Sequence, residues 1–361
     1  MFPLQGNAYP AEHYRLTIPV GTGQSRRNFE FDPDTGSDVT WLPCRLPGHP
    51  VPPTVPGQPI YEARRDQIVP NNDEFCKSLG GRVNKKCGYP GECCYTLEYG
   101  DDSKSEGVLI RETLTFGDVV AEFVIGCGYR QTSDEHLALL NLISLGPGML
   151  GIPSQLHRHG IQNVVGHCLN GTVDDRSFIF IGRYQELRNL PALKWTDMST
   201  RKGLYSHQAQ LNYGGKRLHR SVDVYFDTGS THSYFIPRVF NQVIGEVEKG
   251  LRKDFIKTSE SHCWRSRKPV PDVLKLATNN LNAFNFYFGD KLYSVEPKHY
   301  IYAKDGRKIC LGISETDSRS RDNLNGIGDI SMQGKLLIFD NEVNKIGWGE
   351  GSCNAFVPRP S

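Results

Sequence analysis

Val224-Tyr225-Phe226-Asp227-Thr228-Gly229-Ser230 and, 193 residues earlier, Phe31-Asp32-Pro33-Asp34-Thr35-Gly36-Ser37 end on the same tetrapeptide, Asp-Thr-Gly-Ser. Each copy follows an apolar run that alternates with period two, the pattern of a strand with one buried face. A given tripeptide such as Asp-Thr-Gly arises about 0.05 times by chance in a chain this long. One copy alone would read as an ordinary Asx turn, because Asp, Gly and Ser are turn formers. Two copies half a chain apart, each after a strand, point instead to two similar lobes that present one such turn apiece.

The Asp of each turn stands on the opposite face of its strand from the apolar set, which is Val222, Val224 and Phe226 in one copy and Phe29, Phe31 and Pro33 in the other. The glycine that follows permits a sharp reversal and lifts the carboxylate to the end of a sheet, within reach of Ser and backbone N–H groups. If a twofold-like relation brings the turns together, two carboxylates about 3 Å apart cannot both ionise and share one proton. One is then base and the other acid. Such a pair activates a water for attack on a peptide carbonyl and protonates the leaving nitrogen, with no metal, cofactor or covalent intermediate.

Composition narrows the rest. The 361 residues have room for two domains or one double-lobed unit, and 37 Gly and 22 Pro favour short strands and many turns. A net charge of +2 gives no electrostatic reason to expect nucleic acid or an anionic membrane as partner. The most apolar run, Leu137 to Leu145, is interrupted by Asn141 and Ser144 and is too short to span a bilayer. Met1 to Asn7 lacks the basic and apolar regions of a secretory signal. The ten cysteines form no C-x-x-C pair and no zinc spacing, so disulfides in an oxidising compartment are expected. The sequon Asn170-Gly171-Thr172 points the same way.

Alternating runs at Tyr95, Leu97 and Tyr99, at Val39 and Trp41, at Phe178 and Phe180 and at Leu336 and Ile338 add further strands. Helices are expected only at Ser154 to Gly160 and Pro237 to Lys253. The body is therefore all-β with a few short helices. Pro43 to Pro59 and the cysteine-bearing Asn71 to Pro90 read as surface loops held by disulfides. The basic runs Arg265 to Lys268 and Arg319 to Arg321 read as solvated charge. Cys168 beside His167, or Cys263 beside His262, makes a poor nucleophile–base pair, because neighbours on a strand point to opposite faces.

These segments carry a resemblance. Asp34 through Leu42, Glu98-Tyr99-Gly100-Asp101, Gly126-Cys127-Gly128-Tyr129, Ser154-Gln155-Leu156, Val164 through Leu169, Phe226 through Ser230, Cys310-Leu311-Gly312-Ile313, Ile327 through Gln333 and Phe339 through Trp348 resemble pepsin-like aspartic proteases, nearest the plant nucellin-like branch. The resemblance implies a bilobal pepsin-like β fold with a central cleft, cut into lobes at 1–195 and 196–361. Asp34 and Asp227 are then the catalytic dyad and Thr35 and Thr228 the cross-bracing threonines, with Gly36 and Gly229 at the turns. Ser37 and Ser230 would bond the outer carboxylate oxygens. Tyr99 is the flap tyrosine, with Trp41 its hydrogen-bond neighbour. Residues 100–103 form the hairpin turn and Val108 to Ile110 the return. The partners implied are peptide or protein substrates; the protein is read as a secreted or vacuolar monomer with no metal.

The resemblance also implies the disulfides Cys263–Cys310 and Cys127–Cys168. Cys93 and Cys94 would take Cys76 and Cys87, and Cys44 and Cys353 would join or stay free. Some residues depart from the family pattern. Pro33 stands where a branched aliphatic is usual and removes a backbone donor from an interior strand. Ser144 replaces a glycine that lets backbones cross closely, and Gly326 replaces an apolar residue. Several family cysteines between Cys44 and Cys76 are absent and Cys94 is additional. Distorted geometry at Asp34 is the expected consequence, so two functions stay open. One is an aspartic endopeptidase; the other is a weak or inactive relative that binds peptides or proteins in its cleft.

Overall fold

The period-two runs pair into sheets. Arg27–Asp34 buries Phe29 and Phe31 against His13–Val20, while Lys216–Phe226 buries Val222, Val224 and Phe226 against Ser206–Tyr213. The computed structural model describes residues 1–52, 59–100, 102–132, 141–171, 176–200, 203–316 and 324–356. Parts of the Pro43–Pro59 loop and of the apolar run, Asp101 of the hairpin turn, Thr172 of the sequon and the basic run at 319–321 lie outside the described residues. The fold is bilobal and mostly β. One sheet of 14 strands runs from Lys194–Asp197 through Val164–Cys168 and Arg27–Asp34 to Cys94–Glu98. A sheet of seven carries Lys216–Phe226, and one of four carries Cys263–Ser266. The last two strands, Lys335–Asp340 and Lys345–Glu350, return to the large sheet beside Val164–Cys168 and Lys194–Asp197, which ties the lobes together. The longest helix, Pro237–Leu251, starts with proline at its first turn and buries Val239, Phe240, Val243, Val247 and Leu251. Among the described residues no helix is long and apolar enough to cross a membrane.

The internal repeat is visible in the ladders. Arg27–Asp34 runs parallel to Asn141–Ser144, with Phe31 opposite Asn141 and Asp34 opposite Ser144. Lys216–Phe226 runs parallel to Asn325–Ile327, with Val224 opposite Asn325. Nδ2 of Asn141 donates to Glu30 O at 2.7 Å, and Nδ2 of Asn325 donates to Asp223 O at 3.0 Å. Two expected distortions are absent. Pro33 stays extended and in register with Ile143, because its carbonyl and its missing N–H face away from that ladder: the carbonyl accepts from Thr228 Oγ1 at 2.6 Å. Ser144 is accommodated because its Oγ donates to Ser37 O at 2.7 Å and its N–H to Thr40 Oγ1 at 2.9 Å. Its counterpart Gly328 has no such room, since a Cβ there would press on the carbonyls of His232 and Ser230.

All ten cysteines are paired, and the pairing corrects part of the expectation. Cys263–Cys310, Cys76–Cys93 and Cys87–Cys94 form as read, but Cys127 joins Cys44, and Cys168 joins Cys353. Trp41–Arg45 lies parallel to Val119–Thr132 with Leu42 opposite Cys127, which puts Cys44 beside it. Cys127 and Cys168 stand on strands that are not neighbours in the large sheet. The segment Asn71 to Pro90 is likewise more than surface loop. Helix Glu74–Ser78 drives Phe75, Cys76 and Leu79 into a second core with Val39, Trp41, Cys93 and Tyr95, and Arg158 lies 4.6 Å over the Phe75 ring. Asn170 is buried and its Nδ2 donates to Arg176 O.

Candidate active site

Each Asp-Thr-Gly turn reaches across to the other. Thr35 Oγ1 donates to Phe226 O at 3.0 Å and accepts Thr228 N–H at 3.0 Å; Thr228 Oγ1 donates to Pro33 O and accepts Thr35 N–H at 3.1 Å. Both threonines are buried, so four hydrogen bonds weld the two strand ends where water does not compete. Gly36 and Gly229 are the space this closure needs. A Cβ at Gly36 would lie 2.5 Å from Asp227 Oδ1, and one at Gly229 would lie 2.5 Å from Asp34 Cγ. The carboxylates therefore face one another across the seam between the lobes.

Their local partners differ. Asp34 Oδ1 accepts Gly36 N–H at 2.7 Å; Asp227 accepts Gly229 N–H at 3.0 Å on Oδ1 and Ser230 Oγ at 2.8 Å on Oδ2. Ser37 does not mirror Ser230. Its carbonyl is held by Ser144 and Gly146, and its hydroxyl lies beside that of Tyr99 instead of on Asp34. Burial raises both carboxyl pKa values. At Asp34 the charge of Asp227 raises it further, whereas at Asp227 the bonds from Ser230, Gly229 and Gly36 pull it back. The two carboxyls titrate as a pair, and Asp227 receives the larger set of hydrogen bonds.

Two further carboxyls, which the sequence reading did not single out, complete the site's electrostatics. Asp32 lies on the same strand face as Asp34 and is pushed up to about 8 by burial and by Asp227, against the pull of Arg15. Asp329 is buried with Oδ1 unpartnered and is raised well above the usual range by burial and by Asp32, Asp227 and Asp34. The two-residue alternation around Asp34 could have flagged Asp32; Asp329 becomes visible only once Gly328 is matched to Ser144.

Tyr99 follows the strand Cys94–Glu98 in a hairpin whose return strand is Lys104–Phe116. Its N–H donates to Ser103 O at 2.9 Å, and Asp102 takes a positive φ of 62° in the turn. Trp41 Nε1 donates to the Tyr99 hydroxyl at 2.6 Å. Burial, with Asp34 nearby, lifts the phenol well above its ordinary value, so it stays neutral. Among the described residues the one cluster of potential metal ligands is Glu260 with Cys263 and Cys310, and its thiols are tied in a disulfide.

Known proteins share this architecture. Residues 16–183 match the xylanase inhibitor N-terminal family and residues 203–350 the xylanase inhibitor C-terminal family. An aspartic proteinase of Oryza sativa subsp. indica is 28% identical, with 99% of this chain and 91% of that protein aligned. Aspartic proteinase 36 of Arabidopsis thaliana is 24% identical, over 98% of this chain and 77% of that one. Among solved structures, the aspartic proteinase from Irpex lacteus superposes with a TM-score of 0.71 at 14% identity, covering 98% of this chain and 97% of that one. Basic 7S globulin from soybean superposes with a TM-score of 0.72 at 14% identity, covering 97% and 94%.

Proposed function

The chain belongs to the pepsin-like aspartic protease family, and from that premise we propose that it is an aspartic endopeptidase working through Asp34 and Asp227. The observation that carries the reading is the reciprocal threonine weld, which sets two carboxylates face to face with a glycine vacating the space opposite each. Asp227, anionic, takes a proton from a water held between the carboxylates as that water attacks the peptide carbonyl. Asp34, protonated, gives its proton to the developing oxyanion; as the resulting diol collapses Asp34 takes a proton back and Asp227 passes the one it took from water to the leaving nitrogen. The threonines hold the two strand ends in place, and Ser230 steadies the anionic partner. Tyr99, tied to Trp41, closes over the substrate and excludes water. Both carboxylates come from one chain, so a monomer, with lobes at 1–195 and 196–361, suffices. Five disulfides favour a secreted or vacuolar residence.

The test is digestion of an unfolded protein across pH 3 to 7, with and without a statine-type transition-state mimic, by the unaltered chain and by Asp34→Asn and Asp227→Asn. Acid-peaked activity that the mimic blocks and either substitution abolishes is expected; full activity in either variant sinks the dyad. A second reading is a non-catalytic binder that keeps the cleft. Its support is that the matching families carry an inhibitor's name and one structural neighbour is a globulin. Stoichiometric capture of the mimic without turnover would favour it.

A further inference from the structure

Away from the paired turns, where Pro297–His299 meets the ends of the strands Lys335–Asp340 and Lys345–Glu350, lies a cavity of about 380 Å³ lined in part by Lys335, His299, Lys298, Glu296, Glu350 and Asn170. Lys335 forms its floor. It is 2% exposed and its ammonium lies 5.2 Å from the ring centroid of Tyr293, with no hydrogen-bond or ion-pair partner among the described residues. The stem is buried while the ammonium end opens on the cavity, so a charge with no counter-ion within ion-pair distance among the described residues faces that space. Burial, with Lys298 and Lys194 nearby, holds this amine down to about 8 against the opposing effect of Glu350 and Glu296.

The neighbouring groups sharpen the picture. His299 is neutral near pH 7, since burial and the two lysines hold it down to about 3, and its Nδ1 is buried without a partner. Glu350 stands opposite Lys335 in the strand pair and Glu296 beside the turn; both are exposed at the rim and neither is within ion-pair distance of the ammonium. The floor is thus cationic, while the rim carries Glu296 and Glu350 beside Lys298.

We propose that this cavity binds a small, singly charged oxyanion, phosphate or the carboxylate of a small organic acid, seated on Lys335 Nζ beside the His299 ring. Such a ligand supplies the counter-charge that the chain leaves out, and it joins the Pro297–His299 turn to the central strands. Its binding is independent of peptide hydrolysis at the paired turns.

The test uses the full chain with inorganic phosphate or acetate at pH 6, against sodium chloride at matched ionic strength, and follows thermal unfolding. In parallel, limiting acetic anhydride at pH 8 followed by peptide mass mapping reads the accessibility of the Lys335 amine. A saturable rise in Tm that chloride does not reproduce is expected, together with several-fold protection of Lys335 from acetylation. Lys335→Met should lose the rise and Glu350→Gln should strengthen it. A response to phosphate alone assigns a phosphoryl ligand and one to acetate alone a carboxylate. The proposal is overturned by equal responses to both anions and chloride, or by a Lys335→Met protein that responds like the parent. Should that variant fail to fold, unchanged acetylation of the parent in the presence of anion overturns it equally.

Discussion

Replacing Gly229 by alanine probes the closure of the two turns at its tightest point. The new Cβ would stand 2.5 Å from Asp34 Cγ, 2.6 Å from Oδ1 and 2.9 Å from Oδ2. Gly229 is not at positive φ, so alanine is tolerated by the backbone and the whole effect is steric. Ordinary contact begins at 3.4 Å, which obliges Asp34 to retreat by about 0.9 Å in a close-packed site. It cannot swing aside freely, because Oδ1 is held by the Gly36 N–H at 2.7 Å. A misplacement of about 1 Å in a catalytic group lowers the rate about a hundredfold, equivalent to roughly 2.7 kcal/mol of transition-state stabilisation. Overpacking destabilises the fold by only about 1–3 kcal/mol, and the low end applies because Gly229 is exposed in the cleft. Steady-state kinetics on a peptide substrate at acid pH, paired with thermal unfolding, should show kcat reduced about a hundredfold while the protein remains folded. Gly36→Ala should behave alike, since its Cβ meets Asp227 at the same distance. A folded Gly229→Ala protein with the parent's kcat would refute the facing geometry.

Pro33→Ile should leave stability and kcat little changed. The regained N–H matches the Phe226 N–H, which donates to Tyr205 O at 3.1 Å; that bond is worth about 1 kcal/mol, and isoleucine gives back about 0.4–1 kcal/mol of unfolded-chain entropy. A large rise in Tm would reveal strain at the proline. His167 is buried with neither ring nitrogen partnered, and burial pushes it down to about 3 from 6.5. Because the folded state disfavours its charged form, its contribution is intact above pH 6.5 and is lost as pH falls towards 3, on the order of 4–5 kcal/mol. His167→Leu should therefore flatten the fall in Tm between pH 7 and pH 4, and an unchanged slope would count against this origin of acid sensitivity. Cys168→Ser should be the most destabilising disulfide loss, because Cys168–Cys353 closes a separation of 185 residues, worth about 5 kcal/mol in the chain-entropy picture. Non-reducing peptide mapping checks the framework, and a Cys127–Cys168 peptide would contradict it.

Local chemistry is written along the chain. Alternation at Phe29 and Phe31, at Tyr95 and Leu97 and at Val222 to Phe226 marks strands where strands form, since a buried face needs every second residue apolar. Helical spacing marks Pro237–Leu251 to within two residues. The repeated Asp-Thr-Gly-Ser announces two equivalent turns, and the hairpin at Tyr99 follows from its alternation. Asn71 to Pro90 reads as loop although it carries a helix, because a single helical turn leaves little periodicity in a segment held by two disulfides.

The amino-acid order by itself determined the strands, the two turns and the residue types they present, because these depend on neighbours within a few positions. Only the tertiary structure decided that Cys44 meets Cys127, that Ser37 turns to Tyr99 while Ser230 holds Asp227, and that Pro33 and Ser144 fit without breaking the ladder. It also gathered Asp32 and Asp329 around the carboxylate pair and left Lys335 without an ion-pair partner among the described residues. Apart from the local Ser230–Asp227 bond, each of these rests on which segments become neighbours across tens to hundreds of residues. Hydrogen-bond and electrostatic energies fall off within a few ångströms, so a residue's partners are set by distance in the folded chain and not by position along it.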